Sequence, residues 1–129
     1  MPYAINHIHL KADDPEKTAA WFVKAFNFTI FSDQVRAGGV RFIACDSETG
    51  FRVNISGAPE GKTLPRGSAQ EHEGLEHFGF DSENLEADIE RLTALGAKLV
   101  VAPFMGSVSR VCFLEVPDHV RIELIERPA

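Results

Sequence analysis

Three residues in this sequence have the type and placement to hold a divalent ion: His7, His77 and Glu123. Two imidazoles and one carboxylate make a three-ligand set with open coordination positions, which suits an exchangeable metal acting as a Lewis acid. Zinc, nickel, cobalt, manganese and iron all accept such donors. A lone histidine on a strand is more often a hydrogen-bonded structural residue than a ligand. Position is what raises these two: they stand at corresponding points of an internal duplication, beside a carboxylate that would be costly to bury alone.

The duplication sets the elements that must position these side chains. FRVNIS at 51–56 lies over VRIELI at 120–125, pairing Arg52 with Arg121, Val53 with Ile122, Asn54 with Glu123 and Ile55 with Leu124. HIHLKADDPEKTAAWFVKAF, from His7, lies over HFGFDSENLEADIERLTALG, from His77. A repeat of this kind decides the architecture. Each half predicts one strand, one helix and three strands. The alternating INHIHLKA is a half-buried strand with His7, His9 and Lys11 on one face and Ile8 and Leu10 on the other. Asp14, Pro15 and Glu16 read as a helix N-cap, an N1 proline and an early acid, with Ala19, Phe22 and Phe26 as the apolar stripe and Asn27 as a left-handed stop. In the second half Asn84 is the cap, Leu85, Ile89 and Leu92 the stripe, and Gly96 the stop. Further strands are expected near 28–34, 39–46, 50–56, 98–103, 109–115 and 120–126.

Strand alternation then assigns faces. Val120, Ile122 and Leu124 should pack on the helix, which turns Arg121 and Glu123 away from it; the same rule turns Arg52, Asn54 and His77 away. The expected fold class is α+β: two repeated β-α-β-β-β modules forming a curved, mostly antiparallel eight-stranded sheet that cups a metal site. One domain of 129 residues is expected, with modules at about 1–57 and 75–129. Between them, linker 58–74 is rich in Gly, Pro and charge and reads as either a mobile connection or a pocket lid.

With these residues in place, the chain resembles the vicinal oxygen chelate superfamily, which includes glyoxalase, methylmalonyl-CoA epimerase, extradiol dioxygenases and the fosfomycin- and bleomycin-resistance proteins. The resemblance covers nearly the whole chain. It is carried by His7 ahead of the capping Asp14, by His77 opening the second repeat, and by the ending FLEVPDHVRIELIE, similar to the family's F-x-x-D-P-D-G-x-x-I-E-L. It implies one divalent ion held by His7, His77 and Glu123, and it places Asn54 where relatives often carry a fourth ligand. His119 replaces the turn glycine of the motif, a change that a histidine at positive φ tolerates.

The activity expected is that of a metal-dependent lyase or isomerase, with the ion chelating vicinal oxygens of a small carbonyl substrate and stabilising an enolate. Glu123 and His9 are candidate proton-transfer groups. Asn54, Arg52, Lys11 and Arg121, sharing the inward face, are candidates to bind substrate. Two alternatives belong to other classes: a non-haem Fe(II) extradiol-type dioxygenase, and a resistance protein that binds a small molecule without chemistry.

Composition narrows the partners. Thirteen Lys and Arg against nineteen Asp and Glu give a net charge of -6, with no basic cluster to neutralise phosphates, so nucleic acid is not expected. No apolar run approaches the roughly 18 residues that span a bilayer, so a cytoplasmic protein without membrane partners is expected. Cys45 and Cys112, in apolar segments, read as reduced core residues. Open sheet edges lead us to expect a homodimer.

Overall fold

The structure, a computed structural model, describes residues 1–128. Contacts divide the chain into two compact units, Met1–Pro65 and Arg66–Ala129. The first runs β1 (His7–Lys11), α1 (Pro15–Phe26), β2 (Thr29–Arg36), β3 (Val40–Asp46), β4 (Arg52–Ser56); the second runs β5 (Phe78–Ser82), α2 (Leu85–Ala94), β6 (Lys98–Met105), β7 (Arg110–Val116), β8 (Val120–Glu126). The two sets are the same module. Their strands hydrogen-bond as two four-stranded sheets, ordered β1-β4-β3-β2 and β5-β8-β7-β6. The pairs β1/β4 and β5/β8 are parallel and all others antiparallel. An α+β fold of two repeated β-α-β-β-β modules is what the duplication requires.

The helices begin and end where the sequence places their signals. Asp14 accepts from the Lys17 backbone N–H at 3.2 Å, and Asn84 from that of Ala87 at 3.0 Å, each satisfying one donor left without a partner in the first turn. Asn27 closes α1 in the left-handed region at φ 57°, and Gly96 follows α2 at φ 105°. Helix α1 buries Ala19 and Phe22, with Phe26 only half-buried; α2 buries Leu85 and Leu92. Val53 and Ile55 complete the first core, and Ile122 and Leu124 the second. Removing such a side chain from water contributes roughly 1.5–3 kcal/mol. Cys45 and Cys112 are buried and unpaired, and burial pushes each thiol up to about 11.

One tie recurs in both modules. Arg41, second in β3, reaches Glu16 in the first turn of α1 at 3.2 Å, and Arg110, opening β7, reaches Glu86 in the first turn of α2. Each arginine also holds a second acid, Asp33 at 2.6 Å and Glu126 at 3.2 Å.

The end of the connection between modules, from residue 66 onward, is held against the second one. Arg66 Nη1 lies 3.0 Å from His119 Nε2, and the Ala69 carbonyl accepts from Arg121 at 2.9 Å. The His72 ring bridges the carbonyls of Gln70 and Leu75 at 2.8 and 3.1 Å. His119 adopts the turn conformation that a glycine would otherwise supply, at φ 60°, next to Asp118 at φ 67°. Its ring also contacts Glu115 at 2.8 Å, so the turn doubles as an anchor for the connection.

Candidate metal and substrate site

Parallel pairing of the first and last strand of each module builds the site. In the second unit, β5 runs beside β8 with Gly79 opposite Glu123. Because Gly79 carries no side chain, Glu123 meets nothing bulky there; a Cβ would sit 3.4 Å from the Glu123 carbonyl and 3.7 Å from its Oε1. His77, one residue before β5, sets Nε2 3.4 Å from Glu123 Oε1. The imidazole stands edge-on to Phe113 of β7, ring centroids 5.1 Å apart. Glu123 keeps 19% of its side-chain exposure and accepts no hydrogen bond among the described residues.

The other ring nitrogen of His77 is engaged. Nδ1 contacts Glu76 Oε1 at 2.8 Å, and Arg121 Nε lies 3.5 Å from the same oxygen. The hydrogen bond from His77 and the nearby Arg121 charge hold the Glu76 carboxyl below the usual carboxylate range, against the opposing pull of burial. Arg121 is 4% exposed, with its guanidinium 4.2 Å over the Phe113 ring. Its Nε is the one buried side-chain polar atom without a hydrogen bond among the described residues.

The first unit repeats the plan with different chemistry. His7 pairs in register with Arg52 and His9 with Asn54. His7 Nδ1 contacts the side-chain oxygen of Asn6 at 2.5 Å, the counterpart of the Glu76 contact. His9 stands where the second unit has Gly79. It bonds Ser56 Oγ at 2.7 Å and packs edge-on to Phe42 at 5.3 Å. Burial first, then the charge of Lys11, lowers the His9 pKa from its ordinary value. Asn54 opens onto a cleft of about 520 Å³ that is also lined by Ile5, His7, Phe51 and Arg52.

The structure brings His77 and Glu123 together in the second unit, and His7, Asn54 and Arg52 around one cleft in the first. Among the described residues no three His, Cys, Asp or Glu side chains gather around one point. The cations of the inward face have partners within the chain. Arg52 pairs with Asp46 at 2.7 Å, Lys11 donates to the Gly57 carbonyl at 3.0 Å, and Arg121 is covered by the connecting segment. Sequence reasoning missed Asn6, Glu76 and Gly79. Asn6 and Glu76 were detectable as oxygen-bearing residues immediately before both repeat histidines.

The donors fit a divalent ion. His77 has Nδ1 engaged by a carboxylate and Nε2 turned to Glu123, a half-buried carboxylate with acceptor capacity to spare. Against known families, residues 4–124 match the Glyoxalase/Bleomycin resistance protein/Dioxygenase superfamily. The chain belongs to this superfamily. Among curated proteins no sequence match is found. Solved structures of the glyoxalase fold superpose over nearly all of it. A glyoxalase family protein from Bacillus cereus gives TM-score 0.86 at 16% identity, covering 100% of this chain and 97% of that one. A mutant fosfomycin resistance protein from Listeria monocytogenes, complexed with Mn(II) and a dihydroxypropylphosphonic acid, gives 0.71 at 19%, covering 99% and 93%. An antibiotic binding protein from a Streptomyces species gives 0.68 at 17%, covering 98% of each. At these identities the superfamily likeness speaks for the fold. Among the described residues no helix is long and apolar enough to cross a membrane.

Proposed function

We propose that this protein is a metal-dependent lyase or isomerase of the glyoxalase and epimerase type, acting on a small carbonyl substrate with two adjacent oxygens. His7, His77 and Glu123 would hold its divalent ion. The observation that carries this reading is the Glu123 carboxylate, half-buried and without a hydrogen-bond donor among the described residues, with an imidazole nitrogen 3.4 Å away. Burying an anion in that state is unfavourable unless a cation joins it.

When bound, the ion supplies Lewis acidity toward the two substrate oxygens. The side chains of the chain do the rest. His9, whose pKa is lowered by burial, is neutral at pH 7 and able to accept a proton at the nitrogen that does not bond Ser56. Glu123 is the other candidate acceptor. The Asn54 amide, open to the cleft, can donate to a substrate oxygen, and Ile5 and Phe51 line the same cleft.

Metal analysis of protein purified without added ions tests the reading. Stoichiometric metal is expected in the natural chain, and Glu123→Ala should lose it with an unchanged far-UV circular dichroism spectrum, since the carboxylate contributes no core packing. Equal metal content in the variant would overturn the assignment. A second reading, capture of a small molecule without chemistry, rests on the open, mixed polar and apolar cleft that Ile5, Phe51, Arg52 and Asn54 line. Ligand binding that survives removal of all metal would support it.

A further inference from the structure

The two histidines sit at equivalent positions but are not held equally. Glu76 Oε1 lies 2.8 Å from His77 Nδ1. Carboxylates flank both ring nitrogens and only accept, but Glu76 is the nearer, 2.8 Å from Nδ1 against 3.4 Å from Nε2 to Glu123, so neutral His77 keeps its proton on Nδ1 and its lone pair on Nε2. Glu76 is itself fixed. Arg121 Nε, buried and without a hydrogen bond among the described residues, lies 3.5 Å from the same oxygen. Arg121 is in turn held by the Ala69 carbonyl at 2.9 Å and by the Phe113 ring beneath it. An ordered chain therefore runs from the connecting segment through Arg121 and Glu76 to His77. Among the described residues His7 has only Asn6, an exposed neutral amide that can turn either its oxygen or its NH2 toward the ring.

We propose that Glu76, braced by Arg121 and segment 66–76, is a positioning residue that fixes His77 in the tautomer able to bind a cation through Nε2, making His77 the stronger of the two imidazole donors. The idea rests on the metal-site reading above for its purpose, and on the unit's own hydrogen bonds for its geometry. Carboxylates that hold the far nitrogen of a ligating histidine commonly govern metal affinity by roughly 10- to 100-fold. Among the described residues nothing comparable braces His7.

Two measurements test this on the full chain. In metal-free protein, long-range 1H–15N correlation of the imidazoles should show His77 with its proton on Nδ1. Glu76→Ala should move that population toward the Nε2–H form that free imidazole prefers. Zn(II) titration against a competing chelator should show affinity falling roughly 10- to 100-fold in Glu76→Ala and less in Asn6→Ala. Glu76→Gln, which keeps the side-chain shape, serves if the alanine variant does not fold, and a loss of Zn(II) affinity is expected there too. A natural chain with the His77 proton on Nε2 overturns the proposal, as does a Glu76 variant that folds and keeps both tautomer and affinity. If the natural chain takes up no Zn(II), the metal reading falls, and the tautomer measurement alone decides whether Glu76 sets the imidazole.

Discussion

At the scale of single residues, three substitutions separate the two halves of the site: Asn6 against Glu76, His9 against Gly79, and Asn54 against Glu123. Each replaces a neutral or bulky group by one that frees or charges the neighbourhood of a histidine. Inserting a side chain at Gly79 should therefore matter by size. A Cβ there meets Glu123 at ordinary van der Waals distances, so Gly79→Ala should fold and keep Glu123 in place. Gly79→His, which imitates the first module, would push the carboxylate aside. Its Zn(II) affinity should fall well below that of Gly79→Ala when both are titrated side by side. Asn54→Glu is the converse change: a charged oxygen in the first cleft should tighten metal binding while lowering turnover, because it closes a position the substrate needs. Unchanged affinity together with full activity would place Asn54 outside the metal's reach. His77 and Glu123 were legible as neighbours because duplication and strand alternation point them to one face. Glu76 was not, since its importance comes from Arg121, forty-five positions away in sequence and brought beside it by the parallel β5/β8 pairing.

At the scale of elements, the caps and stops were legible because they are local: Asp14, Asn27, Asn84 and Gly96 act within one turn of where they stand. Asp14→Ala should lower stability by about 1 kcal/mol, read as a lower urea midpoint at unchanged slope. Gly96→Ala should also destabilise, since φ 105° is a conformation that side chains rarely adopt. The connecting segment was the least legible element. Its glycines, prolines and charges suggest a mobile link or a lid, yet from residue 66 it is tied down through Arg66, Ala69 and His72. The Arg66 and Ala69 ties reach residues more than fifty positions away, and the His72 ring bonds only backbone carbonyls within the segment, so none carries a periodic signal. The strands β3 and β7 shelter the two thiols. With each pushed up to about 11, both remain protonated at pH 8, so neither should react with Ellman's reagent until the chain is unfolded. A native thiol reacting at the rate of free cysteine would contradict their burial.

At the scale of the whole molecule, each sheet of four ends in an edge strand with exposed apolar side chains, Phe31 and Val35 on β2 and Phe104 and Met105 on β6. Unpaired edges beside apolar surface favour association, so a homodimer is the expected species. A purely monomeric mass by light scattering at high concentration would count against it. The contrast between the modules has a further meaning. Two separate copies of a single ancestral module, joined as a symmetric pair, could not have carried a glutamate at one equivalent position and an asparagine at the other, because one gene would have written both. Fusion into a single chain lifted that constraint. It allowed one half to carry a histidine braced by a carboxylate and the other to stay neutral and open, so that every later mutation could adjust the two separately.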